Sequence, residues 1–100
     1  YSYLLANKDK IKAAAVNGVK PSLEGIQDYS YPIARPLFFY VKKAHVGVVP
    51  GLKEFLVEFT SKKAMGSRGY LTDIGLVPLA SDKYKITRTA AKDLVTIKLN

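Results

Sequence analysis

The sequence predicts an α/β chain, on three observations. Leu37-Phe38-Phe39-Tyr40-Val41 is apolar at every position. A half-exposed strand would alternate, so this run is expected to be a central strand covered on both faces. Leu52, Phe55, Leu56 and Phe59 recur at i, i+3, i+4 and i+7 and form the apolar stripe of a helix. Between Pro32 and Pro36 lies a stiff connector, because each proline fixes its own φ and drives the preceding Tyr31 or Arg35 out of the helical region.

In chain order, Tyr1 to Asn7 reads as the end of a helix or of a strand, with Asn7 and Asp9 as stop signals. Ile11 to Val16 reads as a short strand followed by an Asn17-Gly18 turn. Pro21-Ser22 opens a helix that Ser22 caps and Glu24 suits electrostatically. Pro32 keeps that helix short. Pro50-Gly51 opens the clearest helix, expected over residues 51–65 and ended by Gly66, with Glu58 and Lys62 at i, i+4 on its wet face. Ser67-Arg68-Gly69 starts a second helix through Leu71 and Ile74, closed by Gly75 and Pro78. In the tail, Tyr84, Thr87, Ala91 and Leu94 suit a helix capped by Ser81. Val95, Ile97 and Leu99 alternate like a strand, and helix to about Leu94 is the favoured assignment.

Composition narrows the function classes. A hydrophobic fraction of 48% with 24% charged residues is globular rather than disordered. The absence of cysteine removes disulfide scaffolds and thiolate metal sites. No apolar run approaches the ~20 residues of a membrane span, and Lys8, Asp9, Lys10 and Lys12 interrupt any signal-peptide core. The chain begins at Tyr1, and few helices are available to cover both faces of residues 37–41; both features suggest a segment of a longer protein. Sixteen Lys and Arg against eight Asp and Glu give a net charge of +8. Such an excess suits nucleic acid or anionic lipid. Here the basic residues are dispersed, which favours a solvated surface instead.

No catalytic constellation emerges. His45 is the single histidine and reads as a loop residue, and Asp73 as a local cap or pair. Gly66-Ser67-Arg68-Gly69 has the residue types of an anion-binding turn, but a plain turn between two helices, with Ser67 as cap, is the favoured reading, and the same holds for Pro21-Ser22. Phe38, Phe39, Phe55 and Phe59 fit a core. Tyr29 and Tyr31 fit either a surface patch or an interdomain contact.

Three longer stretches carry a family resemblance. Ser30 to Val41 (SYPIARPLFFYV), Gly51 to Phe59 (GLKEFLVEF) and Gly69 to Leu79 (GYLTDIGLVPL) resemble, in order and spacing, the C-terminal region of bacterial periplasmic phosphate-binding proteins. Tyr1 to Leu5 and Ile11 to Pro21 match in order as well. The resemblance implies the C-terminal part of a two-lobed, type II periplasmic-binding-protein fold. Residues 1–30 would end one lobe, 31–36 would form the crossover, and 37–100 would belong to the other. It further implies the non-enzymatic solute-binding component of a phosphate ABC transporter, periplasmic, without cofactor or nucleic acid, delivering phosphate to a membrane permease. A receptor of the same fold for another anion or solute, and a small basic nucleic-acid-binding domain, are the alternatives. In the family, phosphate is held by hydroxyls, backbone N–H groups, an Arg and an Asp from loops that precede this region. No catalytic, metal or ligand-binding residue is therefore assigned in this segment. Arg35, near the crossover, is expected to form an ion pair that stiffens it.

Overall fold

A computed structural model describes residues 1–98. Among these residues six helices form in chain order: α1 (Ser2–Ala6), α2 (Leu23–Gln27), α3 (Leu52–Phe59), α4 (Lys62–Met65), α5 (Tyr70–Asp73) and α6 (Ser81–Lys92). A 3-10 turn spans Lys43–His45. Among the described residues there is no sheet, only two isolated bridges, Val16 with Val19 and Val46 with Val49. The expected α/β class, and with it the sheet of a two-lobed binding-protein fold, is overturned for this chain.

The reason is visible at residues 37–41. None of the backbone groups of residues 35–41 finds a hydrogen-bonding partner among the described residues. A strand is a relation between neighbours, and apolar composition alone cannot supply one. The side chains keep a strand-like alternation nonetheless. Phe38 and Tyr40 stack on each other at 6.3 Å, while Phe39 turns the other way onto Phe55 and Phe59, at 6.1 and 4.5 Å between ring centres. Burial on both faces is not observed: Leu37 is 84% exposed and Tyr40 74%.

Ile11–Val16 is likewise no strand. What survives is its turn. Asn17 and Gly18 both take positive φ, 49° and 77°, and Val16 and Val19 exchange both backbone hydrogen bonds. That is the geometry Asn-Gly favours.

The helices follow their signals more closely. Tyr1 to Asn7 resolves as helix α1, closed by Asn7, whose side-chain amide donates to Tyr3 O at 2.9 Å. Ser22 caps α2 by accepting from Gly25 N at 3.0 Å. The helix expected over 51–65 is broken after Phe59. Thr60 Oγ1 donates back to Leu56 O at 2.7 Å, and Ser61 restarts the chain as the cap of α4, accepting from Ala64 N. Hydroxyl side chains compete for helical backbone groups in this way. Gly69 is the N-cap position of helix α5, which has no side-chain cap, so Ser67 does not cap it. Helix α6 ends at Lys92, and Leu94 lies beyond it with a φ of 51°. Val95 and Ile97 form no strand; Leu99 lies outside the described residues.

The core is small. Leu56, Ala64, Met65 and Tyr84 are buried around the buried Thr60, where α3, α4 and α6 meet. The radius of gyration is 15.9 Å, against about 13 Å for a compact chain of this length. The chain exposes 7940 Å², where a folded monomer of its mass exposes about 5,600 Å².

Candidate functional site

An open, mostly apolar groove of about 940 Å³ runs between the 31–39 segment and the Gly75–Leu79 linker with α6. Three polar contacts fix its walls. Gln27 Nε2 donates to Pro78 O at 2.8 Å and ties α2 to the linker. Lys83 Nζ stands 4.5 Å above the Tyr29 ring, a cation–π contact between the end of α2 and α6. Tyr31 donates its hydroxyl to Ala14 O at 3.3 Å. Tyr29 and Tyr31 are thus braces within the chain. Asp28 begins the turn that places them: Ser30 N donates to its Oδ1 at 2.8 Å and holds the carboxyl below the usual carboxylate range.

Arg35 lines this groove and is exposed. No carboxylate stands among the lining residues, so the expected ion pair has no partner there. The groove offers apolar surface from Ile33, Leu37, Phe38, Phe39, Val77 and Ile86, with Arg35 and Lys83 as its cations. Such a lining suits contact with apolar side chains.

The two anion-site candidates resolve as structural turns. The Ser22 hydroxyl is used in capping. In the 66–69 turn, Gly66 O accepts from Gly69 N at 2.9 Å and from Thr72 Oγ1 at 2.8 Å. A Cβ on Gly66 would run into Lys62 O, and one on Gly69 into Ala64 O. Close approach of backbone to backbone is what requires these glycines. Ser67 and Arg68 are exposed. His45 sits exposed in the 3-10 turn, beside Gly47 at φ 90°. No group of three or more His, Asp or Glu among the described residues could hold a metal ion.

Two features escaped the sequence reading. Thr60 O accepts from both Tyr84 Oη, at 3.0 Å, and Arg88 Nη1, at 2.6 Å, which pins α6 to the end of α3. Beside this knot, Lys62 of α4 and Lys85, Arg88 and Lys92 of α6 line a second concavity. The i, i+3, i+7 spacing on α6 was legible; the arrival of Lys62 was not, because it depends on the break at Thr60.

The described residues thus form a braced helical segment with a small core and a broad apolar groove open to solvent. Comparison supplies the family. The PBP superfamily domain matches residues 1–63, and the chain belongs to that family. Among its relatives, the phosphate-binding protein PstS of Staphylococcus aureus (strain USA300) is 35% identical over 78 residues, covering 71% of this chain and 24% of its own length. That of Staphylococcus saprophyticus is 26% identical over 100 residues, covering 95% of this chain and 30% of its own length. That of Staphylococcus haemolyticus is 33% identical over 79 residues. The chain therefore spans less than a third of the length of these curated relatives. No solved structure matches it. No helix among the described residues is long and apolar enough to cross a membrane.

Proposed function

We propose that this chain serves as the C-terminal portion of a phosphate-binding solute receptor of an ABC transporter, acting in the periplasm without catalysing a reaction and handing phosphate to a membrane permease. The observation that carries this reading is the uncovered surface. The difference between 7940 Å² and the expectation for its mass is about 2,300 Å². That is in the range two chains bury when neither is stable alone. Part of the exposed apolar surface lines the groove, beside the unpaired backbone of residues 35–41. The relatives that share its sequence are phosphate-binding proteins some three to four times its matched span. In this reading residues 1–30 and 37–100 belong to two different parts of the receptor, and 31–36 joins them.

Phosphate is held by segments outside this one. A small oxyanion needs several converging donors and exclusion of water, and the serines at 22 and 67 supply neither. The test is titration calorimetry with orthophosphate at low and physiological salt. It is done on this chain alone and on this chain mixed with the part of the Staphylococcus aureus relative that it does not span. The chain alone is expected to bind weakly and to lose that binding with salt. The mixture is expected to associate and bind saturably. Salt-resistant binding by the chain alone would place the site within it. Failure of the two polypeptides to associate would remove the covering role of the groove.

A further inference from the structure

The concavity between α4 and α6, about 470 Å³, is lined by Lys62, Tyr84, Lys85, Arg88, Thr89 and Lys92. Four of these six are cationic and none is acidic. Like charges gathered in one hollow repel one another, and a counter-charge relieves that cost. Arg88 is half-buried, and its one hydrogen bond to another residue goes to the neutral carbonyl of Thr60. Nη2 and Nε of its guanidinium have no hydrogen-bonding partner among the described residues.

We propose that this hollow binds a multivalent anion built of linked phosphate groups. The reasons lie in its charge and length. From Lys85 to Lys92, seven residues of helix advance about 10 Å. A single tetrahedral oxyanion reaches only part of that line, whereas two or three linked phosphates meet Lys85, Arg88 and Lys92 together, with Lys62 from the opposite wall. Arginine suits phosphate oxygens through its planar donors and lysine as a point charge; the Thr89 hydroxyl adds a neutral donor. The aromatic ring in the lining, Tyr84, is buried with its hydroxyl bonded to Thr60 O, so no exposed platform there stacks nucleic-acid bases. The hollow is concave and lacks an exposed apolar side chain, unlike a surface that lies on a bilayer. This assignment stands independently of the receptor reading, since none of the six residues is used by it.

The experiment is titration of the whole chain with sodium tripolyphosphate, orthophosphate, vesicles containing phosphatidylglycerol, and a single-stranded oligonucleotide, at low salt. Two charge-matched double variants are compared with the parent: Lys85→Gln/Lys92→Gln in the hollow and Lys8→Gln/Lys10→Gln outside it. All four positions are exposed, so helix content is expected to persist, which circular dichroism checks. Tripolyphosphate is expected to bind more tightly than orthophosphate and to lose about tenfold in affinity with the hollow variant. The outside variant is expected to lose far less. Equal losses in the two variants would show a general charge effect and overturn the site, as would absence of tripolyphosphate binding to the parent. Hollow-dependent binding of vesicles or oligonucleotide without tripolyphosphate binding would overturn the ligand class.

Discussion

The carbonyl of Thr60 makes a strict test of how α6 is held. It is buried and accepts two donors, Tyr84 Oη at 3.0 Å and Arg88 Nη1 at 2.6 Å. Tyr84→Phe keeps the ring in the core and removes one donor, and Arg88 still satisfies the oxygen. The loss is that of one ordinary hydrogen bond, about 0.5–1.5 kcal/mol. Arg88→Met keeps much of the aliphatic stem and leaves Tyr84 in place; the expected cost is about 1–2 kcal/mol. In the double variant the buried carbonyl is left without a side-chain partner. The penalty of an orphaned buried acceptor, about 1–3 kcal/mol, then adds to the sum of the single losses. Urea unfolding followed by far-UV circular dichroism measures the cycle, provided that the slope with urea is common to all four proteins. Additivity within about 0.5 kcal/mol would refute the reasoning, because it would mean that the carbonyl finds water as readily as its two side-chain donors.

Two further predictions follow from local geometry. Gly69→Ala is expected to destabilise by about 1–3 kcal/mol, since the new methyl meets the Ala64 backbone. Gly18→Ala, whose Cβ would enter open space at φ 77°, is expected to cost about 1 kcal/mol; thermal melts rank the two, and the reverse order would deny the close approach at Gly69. For Asp28, the folded carboxyl lies below its unfolded value because Ser30 N–H donates to it. Its stabilising contribution is therefore present above the unfolded pKa and lost as pH falls through the folded one. The group is exposed, so the effect is small. Unfolding midpoints measured from about pH 5 to pH 2 are expected to fall less steeply for Asp28→Asn than for the parent, and identical slopes would count against the Ser30 bond.

Local signals determined the pieces whose partners lie within a few residues. Ser22 and Gly25, Asn17 and Gly18, and the existence of a helix over Leu52–Phe59 each needed only the chain on either side, so capping, turn and periodicity signals read them; of the stripe's residues only Leu56 is buried, and Phe55 is exposed. The order of three longer motifs was enough to reach the family, because it samples residues that share an ancestral arrangement whether or not that arrangement forms here. The strand at 37–41 failed for a physical reason: its apolar pattern states a demand for neighbours on both edges and both faces, and no described residue meets that demand at its backbone. The break at Thr60 was invisible because a threonine in a helical stripe is tolerated until its hydroxyl takes the Leu56 carbonyl. That break turns Ser61 into a cap and carries Lys62 toward α6. Only the tertiary structure could then set Lys62 opposite Lys85, Arg88 and Lys92, residues more than twenty positions away in sequence whose charges had seemed dispersed.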